Sequence, residues 1–196
     1  MTAARSRNYL CAAALGILLY GPTPALSQLD SGFMPKGGKT LLLELLGSPP
    51  NTTDLRQIVE SRRSEAEWRA ALDARAKTMN KIMSERELRT LAAYLALNMP
   101  VPDPDGVVTK AAKPAELAPA LPRDGRELAW NECQYCHSLF SSHLTQERSV
   151  QAWLNMFQSP FHREMKMTAK EREEFAHYST INMPMKIEDV PPDLRF

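Results

Sequence analysis

Two thiols and an imidazole stand together at residues 133–137, which read Cys-Gln-Tyr-Cys-His. C-x-x-C-H is the attachment signature of haem c. Two thiols at this spacing can add across the two vinyl groups at one edge of a porphyrin, and the following histidine can then bind the iron axially. We therefore predict one covalent haem c on Cys133 and Cys136, with His137 as the proximal iron ligand.

Three other chemistries use parts of this motif. A disulfide between Cys133 and Cys136 is the simplest alternative in an oxidising compartment, but it does not explain the adjacent histidine. A thioredoxin-like redox site follows a buried strand, and no Val/Ile-rich stretch precedes the motif. A zinc site would need two further ligands. The candidates for them are the remaining histidines, His143, His162 and His177.

The N-terminal segment, residues 1–27, has the features of a secretory signal. Two arginines precede an apolar run, Tyr9–Tyr20, and Ala25 and Ser27 follow at the positions that a signal peptidase reads. The run is too short to span a bilayer comfortably. We expect a cleaved signal peptide and a periplasmic protein, with an uncleaved membrane anchor as the alternative.

The charge and the cysteine content of the chain limit the functions that it can have. The chain has 24 basic and 23 acidic residues, and removal of residues 1–27 with their two arginines leaves 22 against 23. This balance provides no basic field for nucleic acid. Cys11 would leave with the signal peptide, so the only cysteines of the mature chain would be those of the C-x-x-C-H motif.

Three helices are predicted around the motif, over residues 125–132, 149–158 and 168–181. The second has apolar residues at i, i+3, i+4 and i+7, namely Val150, Trp153, Leu154 and Phe157. A capping box, Thr168-Ala-Lys-Glu171, opens the third helix, which would present Phe175 and Tyr178 to the interior.

A helix entering C-x-x-C-H, a Trp-bearing helix and a closing helix with inward aromatics resemble the class I c-type cytochromes. The resemblance covers residues 123–185. It implies an all-α fold whose first and last helices cross beside the haem, and a methionine as the sixth iron ligand. The Trp-bearing and closing helices also resemble haem domains attached to, or paired with, periplasmic dehydrogenases.

Residues 36–100 look like a second, degenerate copy of the same unit. Residues 83–100 align with residues 167–184 at a constant offset of 84, including a shared Asn-Met-Pro, and Arg-Ser-x-x-x-Trp occurs in both copies. Residues 28–100 contain no cysteine or histidine, so this copy cannot hold covalent haem. We predict two cytochrome c-like helical domains in tandem, at 36–100 without haem and at 123–196 with one haem. Residues 101–122, rich in Pro and Ala, would form an extended linker.

The sixth iron ligand is open among several residues. Met167 and Met183 have counterparts in the haem-less copy, which favours a packing role. Met156 lies on a helix, and Met185 follows the last helix. Met165, in the loop where the resemblance places a ligand methionine, is the predicted second metal ligand besides His137. Met167 and His162 remain alternatives. Of the other histidines, His143 is expected in a surface loop and His177 on the closing helix.

These features together predict a periplasmic electron-transfer protein, either a carrier or the electron-accepting subunit of a dehydrogenase. The expected partners are a periplasmic dehydrogenase and a downstream cytochrome or oxidase, with no nucleic acid and no membrane span after signal cleavage. A catalytic role is not expected. The alternatives are a peroxidase-like haem enzyme with an open or weak sixth site, and a haem-based sensor, for which no output domain is visible in the sequence.

Overall fold

The computed structural model describes residues 31–134 and 136–195, and helices are the only regular elements in these ranges. The predicted all-α fold class is confirmed. The predicted signal peptide, residues 1–27, lies outside the described residues. Within them, no helix is both long and apolar enough to cross a membrane.

The helices are short and follow one another closely. The α-helices are α1 Gly38–Leu46, α2 Thr52–Glu60, α3 Glu65–Thr78, α4 Glu85–Asn98, α5 Pro104–Val108, α6 Pro114–Ala120, α7 Gly125–Leu128, α8 Val150–Met156, α9 Pro160–Arg163 and α10 Ala169–Asn182. Helix α7 continues directly into a π-helical turn, and a second π-helical turn precedes α8. These turns are Ala129–Cys133 and Phe140–Leu144.

Side chains at the N-termini of the helices explain where many of them begin. The residues whose side chains accept a hydrogen bond from the first turn are Asn51, Ser64, Ser84, Asp103, Asp124, Ser149 and Thr168. The capping box predicted at Thr168 is complete, and Ser84 begins α4 with an equivalent one; Glu171 and Glu87 bond back to the cap backbone. Such caps satisfy backbone N–H groups that the helix itself leaves unpaired.

Helix α4 is the centre of the first half, residues 36–100, and α1 and α3 pack on it. Gly38 begins α1 where a Cβ would collide with the Tyr94 side chain, so the two helices can approach closely only with glycine at this position. The buried side chains include the following residues: Leu41, Leu42, Leu45, Leu46, Trp68 and Tyr94. These leucines and aromatics form the apolar core of this half.

Residues 101–122 are not the extended linker that their composition suggested. They form α5 and α6, and α5 packs against α2. Their apolar side chains join the core of the first half, and the buried ones are Val101, Val107, Ala111, Leu117 and Leu121. Pro104 and Pro114 occupy the first positions of α5 and α6, where no hydrogen bond is lost, and Pro119 lies inside α6.

Helix α10 is the centre of the second half, residues 123–195, and α7 and α8 pack on it. Gly125 repeats the role of Gly38, because a Cβ there would collide with Tyr178. Trp153, Phe157, Phe175 and Tyr178 are all buried, as the sequence predicted.

The two halves interlock within one compact unit. Helices α4 and α10 pack on each other, and corresponding residues make reciprocal hydrogen bonds across this contact. Asn98 Nδ2 donates to Glu174 Oε2 at 3.0 Å, and Asn182 Nδ2 donates to Thr90 Oγ1 at 3.0 Å. All four residues are buried. Residues that lie 84 positions apart therefore occupy equivalent places in this contact between the helices.

Two tyrosines make a second pair of equivalent hydrogen bonds between the halves. Tyr94 Oη donates to the carbonyl oxygen of Pro122 at 2.8 Å, just before α7, and Tyr178 Oη donates to that of Pro35 at 2.7 Å, just before α1. Each tyrosine thus holds the chain entering the other half. Met34 accordingly lies in the core of the second half.

Candidate functional site

The C-x-x-C-H motif begins in the π-helical turn that extends α7. Cys133 is the last residue of that turn and is 9% exposed, whereas Cys136 and His137 lie at the surface. Both thiols are free. The capping box of Asp124 and Glu127 starts this helical segment, and the packing of α7 on α10 fixes its direction. The motif is therefore anchored at its N-terminal end and open to solvent at its C-terminal end.

The His137 ring is oriented by Ser142, in the second π-helical turn. The Ser142 hydroxyl donates to the carbonyl oxygen of Ser138 at 2.7 Å, so its oxygen accepts from His137 Nδ1–H at 3.0 Å. With the hydrogen on Nδ1, the Nε2 lone pair is free. This is the arrangement in which a histidine serves as a metal ligand, with its second nitrogen donating to a neighbouring oxygen.

A cavity of about 350 Å³ lies beside the motif. Its lining combines the predicted ligand residues with apolar and aromatic side chains. The lining residues are Glu132, Cys133, Cys136, His137, Ser142, His143, Arg148, Trp153, Met156, Phe161, His162, Met165 and Phe175. The volume falls within the range of sites for small molecules and cofactors.

The predicted ligands separate into two groups. Cys133, Cys136, His137, His162 and Met165 line the cavity together, and so does Met156. Met167 and Met183 do not line it and are buried in the core of the second half, in keeping with the packing role predicted for them.

His143 does not lie in a surface loop, and that expectation is wrong. It is 3% exposed, in the second π-helical turn, and its ring stacks on Phe175 with centroids 5.1 Å apart. The Ser179 hydroxyl donates to the carbonyl oxygen of Phe175 at 2.6 Å, so Ser179 Oγ accepts from His143 Nε2–H at 2.8 Å. Burial lowers the pKa of His143 to about 3, so the imidazole is neutral.

His143 Nδ1 is buried without a hydrogen-bond partner. Sequence reasoning missed this residue because its partner Ser179 is 36 positions away, beyond the reach of any local pattern. Phe161 was missed as well. Its ring borders the cavity and is 89% exposed, and an isolated aromatic residue in a polar loop carries no sequence signal of its own.

Arg148 and Trp153 form the edge of the cavity nearest α8. The Arg148 guanidinium lies 4.9 Å from the centroid of the Trp153 ring, and Trp153 Nε1 is buried without a partner. Arg63 and Trp68 repeat this stack at 4.8 Å in the first half, where Trp68 Nε1 also lacks a partner. The stack therefore belongs to the shared helical scaffold, whereas only in the second half does it border the cavity beside the C-x-x-C-H motif.

The electrostatics of Cys133 count against a thioredoxin-like site. Burial, followed by the neighbouring Glu132 carboxylate, raises the pKa of the Cys133 thiol to about 12. Catalytic dithiols require the opposite shift, because the thiolate is the nucleophile. No strand precedes the motif in the described part of the chain. Among those same residues, no group of three His, Cys, Asp or Glu side chains could hold a metal ion.

These features fit haem c. Two free thiols and an imidazole with a free Nε2 border one cavity, whose remaining walls are largely apolar and aromatic. Cys133, Cys136 and His137 would hold the group. Arg148 would supply a positive charge beside it.

No protein family matches the chain, and neither the curated proteins nor the solved structures contain a match.

Proposed function

We propose that the protein is an exported c-type cytochrome that binds one haem through Cys133 and Cys136, with His137 as the proximal ligand, and transfers electrons. The observation that carries the proposal is the shared cavity of the two thiols and the His137 ring. A resemblance of the motif and flanking helices to class I c-type cytochromes supports it. When bound, haem iron alternates between two oxidation states and so accepts and donates one electron.

The chain itself would supply orientation, burial and an exposed edge. The Ser142 hydroxyl holds the His137 ring with Nε2 free, and Trp153 and Phe175 exclude water from the inner wall. Cys136 and Phe161 lie at the surface beside the cavity, where a redox partner could approach. The donor we propose is a periplasmic dehydrogenase, and the acceptor is a downstream cytochrome or oxidase.

Covalent attachment is the most direct test. The protein, produced in a bacterium with a working cytochrome c maturation system, should have the mass of the processed chain from about Gln28 plus one haem. The pigment should remain with the protein in acid acetone. Cys133→Ala and Cys136→Ala should each abolish double attachment and leave little stable protein, because haem would form much of the core of the second half.

Cys11→Ala is the matched control, because that cysteine lies in the predicted signal peptide. It should leave haem content unchanged. Recovery of a haem-free protein with a Cys133–Cys136 disulfide from the maturation-competent strain would refute the proposal. A haem-loaded protein that turns over peroxide rapidly would favour the alternative of a peroxidase-like enzyme.

A further inference from the structure

We infer that His162, rather than Met165, binds the haem iron opposite His137. The inference rests on the proposed function, since it concerns the second axial ligand of the same haem. His162 lies on the short helix α9 and lines the cavity with His137. The centroids of the two imidazole rings are 6.2 Å apart, and the ring planes are inclined by 68°.

This separation suits two imidazoles that share one metal ion. Two metal–imidazole bonds of roughly 2 Å each, added to the half-width of each ring, place the two centroids about 6 Å apart. No hydrogen bond joins the two rings among the described contacts. His137 is exposed and His162 is half-buried, and no hydrogen bond between described residues accounts for the proximity of their rings. A shared iron ion would account for it.

Each ring is also held by a serine at the same nitrogen. Ser142 Oγ lies 3.0 Å from His137 Nδ1, and Ser159 Oγ lies 2.7 Å from His162 Nδ1. A serine oxygen that accepts from Nδ1–H fixes the tautomer in which Nε2 is the metal-binding nitrogen. The Ser159 hydroxyl can accept from His162 Nδ1–H as the Ser142 hydroxyl accepts from His137, and in that tautomer both histidines offer Nε2 to the metal.

The backbone around His162 is firmly held. Arg163 N–H donates to the carbonyl oxygen of Ser159 at 2.9 Å, and Pro160 occupies the first position of α9, where its fixed φ favours the helix. Ser159 thus holds His162 through the ring and α9 through the backbone.

Met165 has a simpler role. Its side chain is half-buried and packs against the core of the second half, where a flexible thioether fills gaps between larger side chains. It lies three residues beyond His162, and its backbone N–H donates to the carbonyl oxygen of that residue at 3.3 Å. Met165 therefore supports the loop that carries His162. Two histidine ligands give a lower reduction potential than histidine with methionine, which suits a low-potential partner.

Spectroscopy of the haem-loaded protein tests the inference. The ferric protein should be low-spin, without the far-red absorption band of sulfur ligation, and near-infrared magnetic circular dichroism should show the band of two imidazole ligands. His162→Ala should eliminate that signature and raise the reduction potential, and added imidazole should restore the low-spin spectrum. Met165→Leu, on the same loop, should keep the near-infrared band of two imidazole ligands. His177→Ala, at a histidine of α10 outside the cavity lining, is the control that should leave the spectrum and the potential unchanged.

Several results would overturn the assignment of His162 as the second iron ligand. A far-red band in the unmodified protein that disappears in Met165→Leu would assign the ligand to Met165. A high-spin ferric spectrum would show an open sixth site, and a bis-imidazole signature that survives His162→Ala would point to another histidine. If His162→Ala does not fold, the near-infrared spectrum of the unmodified protein still decides between nitrogen and sulfur. Absence of covalent haem by mass would refute the proposed function itself, before any ligand is considered.

Discussion

The two halves of this molecule use one helical scaffold for two different interiors. In each, a glycine begins a helix against a tyrosine, an arginine stacks on a buried tryptophan, and a capped fourteen-residue helix forms the centre. The first half fills its interior with leucines from α1. The second half leaves a cavity of about 350 Å³ beside its thiols. The same helix contacts can therefore surround either a packed core or a binding site.

The difference extends to the polarity of the buried side chains. At the offset of 84, Ser179 of the second half corresponds to Leu95 of the first, and both are fully buried. Ser179 holds the buried His143, whereas residues 36–100 contain no histidine. Buried polar groups cost free energy unless they are hydrogen-bonded. At this position the second half buries a hydroxyl group that is hydrogen-bonded to a histidine of the cavity wall, whereas the first half packs a leucine.

The reciprocal contacts show what the first half contributes. Helix α4 supplies the surface on which α10 packs, and Tyr94 holds the chain where it enters α7. Both α7 and α10 position the cavity. A half without thiols or imidazoles thus supports the half that has them.

Replacement of Trp68 or of its counterpart Trp153 should give the largest loss in the free energy of unfolding. Trp68→Ala and Trp153→Ala each remove a buried indole and should each cost about 3–5 kcal/mol in the free energy of unfolding, measured by urea denaturation. Only Trp153 lines the cavity, so only Trp153→Ala should change the absorption spectrum of the haem-loaded protein. Equal spectral changes in the two variants would contradict the division of roles.

Replacement of Asn98 and replacement of Asn182 should lower the free energy of unfolding by different amounts. Asn98 donates to the Glu174 carboxyl group and Asn182 donates to the Thr90 hydroxyl group. A hydrogen bond to a charged acceptor contributes about 1.5–3 kcal/mol, compared with about 1 kcal/mol for a neutral pair. Because burial raises the pKa of Glu174 to about 8, Asn98→Ala should lower the free energy of unfolding by more than Asn182→Ala above about pH 8, and by a similar amount below it. Equal losses above pH 8 would show that Glu174 stays neutral there, or that the bond from Asn182 Nδ2 to the Tyr178 carbonyl oxygen compensates.

The pH dependence of stability should depend on Glu174, whose counterpart Thr90 does not titrate. Burial first, and then the nearby Asp124 carboxylate, raise the pKa of Glu174 from 4.5 to about 8. The folded state then binds the proton more tightly than the unfolded state, so the free energy of unfolding should fall as pH rises from about 4.5 to 8.

Glu174→Gln should reduce that fall by on the order of 1 kcal/mol or more across the window. A slope remains because burial also raises the pKa of Asp124. Glu173→Gln, at the exposed neighbouring position, is the control and should leave the slope unchanged. Identical slopes in the two variants would place the pH dependence elsewhere.

The two arginine stacks should give the smallest effect on stability. Arg63→Gln and Arg148→Gln should each cost about 0.5–1 kcal/mol, the contribution of a partly exposed cation–π contact. Arg148 lines the cavity, so its replacement removes a positive charge near the haem and should lower the reduction potential. The potential of Arg63→Gln, measured by the same redox titration, should match that of the unmodified protein.

Local signals in the sequence determined much of this molecule. The capping boxes at Ser84 and Thr168, the inward Phe175 and Tyr178, and the all-α fold all follow from residues a few positions apart. The proposed haem attachment also comes from a local pattern, because C-x-x-C-H places three reactive side chains within five residues. Helix caps and short motifs act over one or two turns, and the sequence displays that range directly.

Tertiary structure decided what depends on distant partners. Residues 101–122 look like a linker by composition, yet their side chains fold into the first core, because α2 and the first half offer apolar surface to cover. His143 is buried because Ser179 and Phe175, more than thirty positions away, form its surroundings. The His162 ring lies beside His137 for the same reason, since α9 is brought to the cavity from 25 positions further along the chain. Burial and the proximity of these two rings are properties of the surrounding fold, and no local pattern specifies them.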